Sequence, residues 1–298
     1  MLRSTLDALS CALLPACCTL CGSPLPRISP APICDLCWSE LPVQQGPRCS
    51  LCGDLHLAPS PSGPALCRFC RLAPPPFRRA VAFGPYGGLL KGAIHALKYE
   101  GMEPAARRLG VLLAEAVAPL ATEVPEGMLA VPIPLHRARQ AHRGFNQAEA
   151  LAVHALQRLA RTHPEWPLTL APHALLRQRP TPVQAGLTAR QRRLNVRGAF
   201  SVPDKAALAG REILLIDDVL TTGATVRAAS QALLRAGASA VYVATLARAG
   251  RQHPVPHGED VFFDDDDANP MSTAANAVLP APLLHANRTL SSHRQPSF

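Results

Sequence analysis

Aromatic residues are scarce in this chain: they make up 4% of it, as two tryptophans, three tyrosines and eight phenylalanines. Surfaces that hold single-stranded nucleic acid usually stack bases on aromatic rings, so this poverty counts against a dedicated strand-binding module. Long apolar runs are missing as well, because Arg, Asp, Pro or Gly interrupts every candidate. None approaches the ~20 residues that a membrane-spanning helix needs, so no membrane insertion is expected. The opening MLRSTLDALSCALLPACC has one Arg and a short apolar run, but Asp7 breaks it and no clean small-x-small site follows. That argues for a soluble, cytoplasmic protein over a secreted one. The Gly-Lys-Ser/Thr ending of a P-loop is absent, which excludes that type of nucleotide site. Cysteine is absent beyond Cys70.

What is present is unevenly spread. The chain has 298 residues, enough for one large or two modest domains, and a net charge of +9. Residues 1–80 hold seven basic and four acidic side chains, residues 81–250 hold twenty and eleven, and the remainder holds three and six. The excess therefore sits in the middle. Part of it lies between Arg177 and Arg197, where Arg177, Arg179, Arg190, Arg192, Arg193 and Arg197 occur with no intervening acid. Such a cluster is either a solvated face or a surface for phosphates.

Eight of the ten cysteines form four Cys-x-x-Cys knuckles: Cys18 with Cys21, Cys34 with Cys37, Cys49 with Cys52, and Cys67 with Cys70. Two knuckles a dozen or so residues apart bring four thiolates to the corners of a tetrahedron around one zinc ion, and the sequence supplies two such sets. Gly22 and Gly53 directly follow knuckles, where a tight turn around a metal calls for positive φ. A disulfide framework is the alternative; Cys-x-x-Cys pairs in a chain of cytosolic character favour metal. Cys11 reads as a small buried hydrophobe, and Cys17 sits close enough to Cys18 to stand in as a ligand. With few bulky apolar residues and many prolines, this segment depends on its metals for folding energy, which makes the zinc structural. We place a double zinc ribbon at 10–74, followed by the proline-rich linker LAPPPFRRA.

Beyond it helical and strand patterns alternate. GGLLKGAIHALKY, PAARRLGVLLAEAVAPL and FNQAEALAVHALQRLA read as helices, MLAVPIP and EILLIDD as buried strands, ATVRAASQALLRAG as a helix ended by Gly237, and AVYVATLAR as another strand. Strand, helix, strand at these lengths argues a parallel α/β sheet with right-handed crossovers over residues 80–249. Residues 250–298 lose periodicity and carry the acidic run Asp264 to Asp267, which predicts a disordered tail.

The stretch ILLIDDVLTTGATV, Ile213 to Val226, carries the chemistry. In an open parallel sheet ligands bind outside the carboxyl ends of the strands, so Asp217 and Asp218 are expected at a crevice. The turn after them opens the next helix, whose first N–H groups and positive dipole end suit a phosphate. Gly223 permits close backbone approach, and Thr221, Thr222 and Thr225 add hydroxyl donors. Acids one sugar ring away accept hydrogen bonds from vicinal hydroxyls, so the implied ligand is a ribose 5-phosphate unit.

These fourteen residues resemble the phosphoribosyl-pyrophosphate (PRPP) motif of type I phosphoribosyltransferases. Four knuckles, then YGGLLKGAIHALKYEG, VPIPLHRARQAHRGFNQAEALA, RQRPTPVQAGLTARQRRLNVRGAF and that motif, over residues 10–248, are similar in arrangement to the ComF family. Its members join a double zinc ribbon to a type I, amidophosphoribosyltransferase-like domain; some serve DNA uptake in natural transformation and others are tied to gluconate use. The resemblance implies a phosphoribosyltransferase-like protein that binds PRPP with Mg²⁺, with a glycosyltransferase (pentosyl transfer) activity and a link to competence. It implies that Asp217 and Asp218 meet the ribose hydroxyls and that Thr221, Thr222, Gly223, Ala224 and Thr225 hold the 5-phosphate.

His136, Arg137, Arg139 and Arg143 follow the VPIP strand end and are candidates for the pyrophosphate side, although each could equally be a surface residue. Residues 177–200, with Arg177 and Arg193, would form an arginine-rich hood. Asn146 is either a helix cap or a ligand contact, and Lys98 either an ordinary helix-end cation or a phosphate contact. Nothing in the hood names the acceptor. The alternative is a non-catalytic regulatory protein, partnered with single-stranded DNA and DNA-uptake proteins, that keeps the fold; two adjacent acids where phosphates approach weigh against it. A redox or metal-storage role is weaker still, because closed four-thiolate sites leave no open position.

Overall fold

The computed structural model describes residues 16–27, 29–55, 65–99, 102–179, 191, 196 and 198–250. Cys11, Arg190, Arg192, Arg193, Arg197 and the expected tail from residue 251 onward lie outside the described residues.

Two single-turn helices, α1 (Asp35–Ser39) and α2 (Arg68–Leu72), precede the sheet elements. Then follow β1 (Arg79–Pro85), α3 (Gly88–Tyr99), α4 (Ala105–Val117), β2 (Met128–Pro132), α5 (Arg137–Arg143), α6 (Gln147–Thr162), β3 (Leu168–Leu170), β4 (Leu176–Arg177), β5 (Phe200–Ser201), β6 (Glu212–Leu220), α7 (Ala224–Arg235) and β7 (Ala240–Arg248). Five strands form one sheet in the order β1-β7-β6-β2-β3, parallel throughout. The expected α/β class with a parallel sheet is therefore present. Among the described residues no helix is long and apolar enough to cross a membrane.

The core follows the period-two alternation of the central strands. Leu214 and Ile216 face α3, α4 and α6, whose Leu90, Leu97, Leu109, Leu113, Leu151 and Leu159 fill one side. Ile213 and Leu215 face α7, which contributes Val226, Ala229 and Leu233 to the other. Parallel strands covered on both faces need continuous apolar runs, which EILLI and AVYVATLA supply.

The cysteine segment is built into this body. Cys18 and Cys37, with Leu25, Ile33 and Leu41, belong to the α3/α4 side, whereas Cys49, Cys52, Cys67 and Cys70 belong to the α7 side. It also covers the free edge of β1, whose Ala80 N–H donates to Leu51 O and whose Phe83 O accepts from Gln44 N–H. An uncovered edge strand would be a template for aggregation. The proline-rich stretch is not a loose spacer either: Phe77 is buried, Arg78 N–H donates to Val241 O, and Arg79 and Ala80 already lie in β1. Its prolines concealed the strand that follows them.

Candidate functional site

The order of the strands puts a crevice between β2 and β6. The connection from β2 runs through α5 and α6 to β3, away from β6, while the connection from β6 runs through α7 to β7 in the opposite direction and over the opposite face. Ligands of open α/β sheets bind at such a reversal, outside the carboxyl ends of the strands. Pro132 of β2 pairs with Ile216 of β6, so the next residues of the two strands, Ile133 and Asp217, open onto that point.

Asp218 is 5% exposed and already committed to two partners. Its Oδ1 lies 2.9 Å from Lys98 Nζ, at the end of α3, and its Oδ2 accepts from Gln147 Nε2 at 2.9 Å, at the start of α6. A buried carboxylate needs partners of this kind. Burial works against the Lys98 charge, but the attraction and hydrogen bond of Asp218, joined by Tyr86 and Asp217, together outweigh it and raise the lysine's pKa. Gln147 Oε1 is buried and has no hydrogen-bond partner among the described residues. Asp217 accepts the Asp218 backbone N–H at 2.9 Å through Oδ1. Burial, reinforced by the Asp218 charge, raises its pKa to about 7, while that N–H, Lys98 and Arg177 pull the other way.

The two acids therefore differ. Asp218 is clamped between Lys98 and Gln147, and Asp217 is poised between its two protonation states near neutral pH.

Asp217 yields a stability prediction with a definite sign. A carboxyl raised from 3.8 to about 7 binds more protons folded than unfolded across that interval, so folding stability falls as pH rises through it. The ligand-free Asp217→Asn protein is expected to melt at a higher temperature than wild type at pH 8, with the gap closing towards pH 4. Equal melting temperatures at pH 8 would show that the carboxyl is not perturbed.

Beyond the acids the chain turns sharply into α7. Gly223 adopts φ 78°, a left-handed conformation that side chains rarely take, and as the N-cap it offers no side-chain acceptor to the helix. Ala224 N–H reaches only the Thr222 hydroxyl, at 3.4 Å. Thr221, Thr222 and Thr225 are partly exposed around a helix start whose first N–H groups suit an anion.

Of the candidate arginines, Arg139 and Arg143 of α5 and Arg177 of β4 converge on this end of the sheet. Burial lowers the pKa of all three; Arg139 is further lowered by the Arg143 charge and Arg177 by that of Arg139. The opposing attraction comes from Asp218 on Arg143 and from Asp217 on Arg177. Arg143 lies over the Tyr99 ring at 5.0 Å and Arg177 over Phe200 at 5.6 Å, which holds the guanidinium planes. Arg137, in the first turn of α5, is exposed. His136 caps α5 by accepting from Ala138 N–H, and Asn146 caps α6, accepting from Ala148 N–H and donating to Ile133 O. The base of the expected hood is closed by the antiparallel pairs Leu176 with Ser201 and Arg177 with Phe200.

The cysteines gather as Cys18, Cys21, Cys34 and Cys37 in one group and Cys49, Cys52, Cys67 and Cys70 in the other, which fixes the pairing of knuckles that spacing left open. Cys18 and Cys37 sulfurs are 3.8 Å apart, those of Cys21 and Cys34 3.7 Å, and those of Cys52 and Cys67 3.7 Å. Tetrahedral zinc with bonds near 2.3 Å requires sulfur separations of about 3.8 Å, whereas a disulfide requires about 2.05 Å. Backbone N–H groups of Cys34 and Cys67 donate to Cys18 and Cys49 sulfurs, support that thiolates need. Gly22 and Gly53 turn with φ 75° and 67°, as expected of knuckle glycines. Both groups fit structural zinc.

A family model described as "Phosphoribosyl transferase domain" matches residues 146–277. The chain is 34% identical over 240 residues to "DNA utilization protein YhgH" of Escherichia coli K12, covering 79% of this chain and 98% of that protein. The chain belongs to the ComF family. Further members similar to it are "Competence protein F" of Haemophilus influenzae, 30% identical over 77% of this chain and 90% of its own, and "Competence protein ComFC" of Bacillus subtilis, 28% identical over 70% and 80%.

Within this ComF chain, the residues that sequence reasoning underrated are those acting across long separations. Lys98 and Gln147 reach Asp218 from two different helices, and Arg248 reaches the loop after β6 from the end of β7. Lys98 reads from sequence as either a helix-end cation or a phosphate contact, and Gln147 is given no role there. A buried acid needs a cation, and that demand was the available signal for Lys98.

Proposed function

We propose that this ComF protein binds phosphoribosyl pyrophosphate with Mg²⁺ and serves DNA uptake or DNA utilization, with pentosyl transfer as its activity. The single observation that carries the reading is the convergence, at the reversal point of the sheet, of two adjacent acids, a helix start with a glycine N-cap and three partly buried arginines. In this reading Asp217 and Asp218 each accept from a ribose hydroxyl, and residues 221–225 hold the 5-phosphate. Arg139, Arg143 and Arg177 meet the pyrophosphate and offset the negative charge that grows on it as its bond to C1′ breaks. The carboxylates and the buried, unpartnered Gln147 Oε1 are the hard oxygen donors that Mg²⁺ takes. Bound there with the ligand's own oxygens, it would neutralise pyrophosphate charge. The names of the relatives support the DNA connection.

A ligand that binds only the folded protein stabilises it by about 2.7 kcal/mol at a hundred times Kd. For a chain of this size PRPP with Mg²⁺ is therefore expected to raise Tm on the order of 5–10 °C. Ribose 5-phosphate should give a smaller shift, for want of the arginine contacts. No shift with PRPP at millimolar concentration would remove the reading. A shift with single-stranded DNA alone would favour the strand-binding alternative, to which the arginines also lend themselves.

A further inference from the structure

Arg248 is the last residue of β7 and is 2% exposed, an unusual place for a guanidinium. Burial there is tolerable only because every direction of the fork finds an acceptor. Nη1 donates to Leu220 O and to Thr221 O, both at 2.8 Å, and to Ala249 O. On the other side, Nε donates to Cys52 O at 3.1 Å, Nη2 lies 4.0 Å from Cys52 Sγ, and Asp54 Oδ2 is 3.6 Å away. One planar group thus joins the second four-cysteine group to the carbonyls that begin the turn into α7. Arg248 and Cys52 themselves stand 196 residues apart in the chain.

A second arginine repeats the connection. Arg227, in the first turn of α7, donates to Ala73 O at 2.8 Å and Pro74 O at 3.1 Å, at the end of α2, the helix that carries Cys70. Both attachments come from the second cysteine group. Charge favours the arrangement: four thiolates on one zinc carry a net charge of about minus two. A fixed cation is therefore well placed between that anion and carbonyls whose negative ends point at it.

The consequence falls on the loop. Thr221 O and Leu220 O are held by Arg248, which fixes the start of the loop that carries the N–H groups of residues 222 to 225. A phosphate site built from backbone N–H groups depends on how they are oriented. We propose that Arg248 is a positioning residue through which the second four-cysteine group holds the phosphate loop in its binding shape. This deepens the sugar-phosphate reading and rests on it. The first four-cysteine group plays no such part, since its residues pack against the opposite face of the sheet.

The test uses the full, zinc-loaded chain as wild type, Arg248→Lys, Arg248→Met and Asp54→Asn. Ribose 5-phosphate and inorganic pyrophosphate serve as separate calorimetric probes, zinc content is measured, and hydrogen exchange is followed without ligand. Removing a supporting partner of this kind typically weakens a site about 10–100-fold, so ribose 5-phosphate affinity should fall about tenfold in Arg248→Lys and up to about a hundredfold in Arg248→Met. Pyrophosphate affinity and zinc content should hold. Amides of residues 221–225 should exchange faster while those of Ile213–Ile216 do not. Asp54→Asn, which touches only the ribbon end of the fork, should move the same readings in the same direction.

If Arg248→Lys and Asp54→Asn keep wild-type loop exchange, Arg248 merely fills space and the proposal is overturned. Faster exchange throughout the sheet would overturn it as well, by making the effect global. Should Arg248→Met fail to fold, the other two variants decide. If wild type itself binds no ribose 5-phosphate, the sugar-phosphate reading fails, and loop exchange still decides whether Arg248 orders the turn.

Discussion

Cys70→Ala is expected to abolish the cooperative melt of the whole protein, whereas Cys21→Ala should cost one equivalent of zinc and leave the sheet folded. The asymmetry comes from where the two groups sit. Cys70 is 0% exposed, and its group shares a core with Phe77, Val226, Ala229 and the inward faces of Ile213 and Val243. Cys21 is exposed at the rim of its own group. Structural zinc contributes about 10–16 kcal/mol in isolated fingers, and the net stability of an ordinary domain is about 5–15 kcal/mol. Losing the metal from the buried group leaves three sulfurs in an apolar core without their cation, and no surplus elsewhere in the fold offsets that. The check is differential scanning calorimetry with parallel zinc analysis. A Cys70→Ala protein that still melts in one sharp transition near the wild-type temperature would show that the second group is not structural. With a chelator, zinc should leave in two phases, the exposed group first.

The second large effect belongs to the acids. Asp217→Asn combined with Asp218→Asn is expected to weaken PRPP binding by two to four orders of magnitude while the protein stays folded. Hydrogen bonds to charged groups contribute about 1.5–3 kcal/mol each, so two lost acceptors cost about 3–6 kcal/mol. Folding survives because two changes oppose one another. Asp217→Asn removes a carboxylate whose ionisation is penalised by burial and by its neighbour. Asp218→Asn takes the anion from Lys98, whose ammonium keeps an amide oxygen to donate to and is itself 17% exposed. Circular dichroism and the melting temperature report the fold, and a competition assay against PRPP reports the site. Unchanged affinity in a folded double variant would remove the assignment of both acids.

How far the molecule could be read from its sequence depended on range. β6 and β7 were legible because EILLI and AVYVATLAR are continuous apolar runs, and α3, α4, α6 and α7 because their apolar residues recur at helical spacing. The cysteine groups were legible as spacing, but which knuckle meets which is a tertiary fact. β1 was hidden behind LAPPPF, although RAVAFGP is strand-like once the ribbon covers its free edge. α5 was missed because RARQAHR buries none of its residues, so no apolar face announced it. β3, at three residues, is shorter than any pattern can mark.

The site divides in the same way. Asp217, Asp218 and the loop to Thr225 form one contiguous motif. The Asp218–Gln147 bond of the clamp and the Arg248–Cys52 bond of the fork join positions 71 and 196 residues apart and emerge only with the fold.

The central claim is that the reversal point between β2 and β6 binds a sugar phosphate carrying pyrophosphate. The most direct test is calorimetric titration of PRPP with Mg²⁺ into the zinc-loaded wild-type chain. Saturable one-site binding with a micromolar Kd is expected and, near pH 7, release of the proton from Asp217 as the ligand's hydroxyls select its ionised form. A fully folded protein with two zinc ions bound that gives no saturable heat at millimolar PRPP would contradict it.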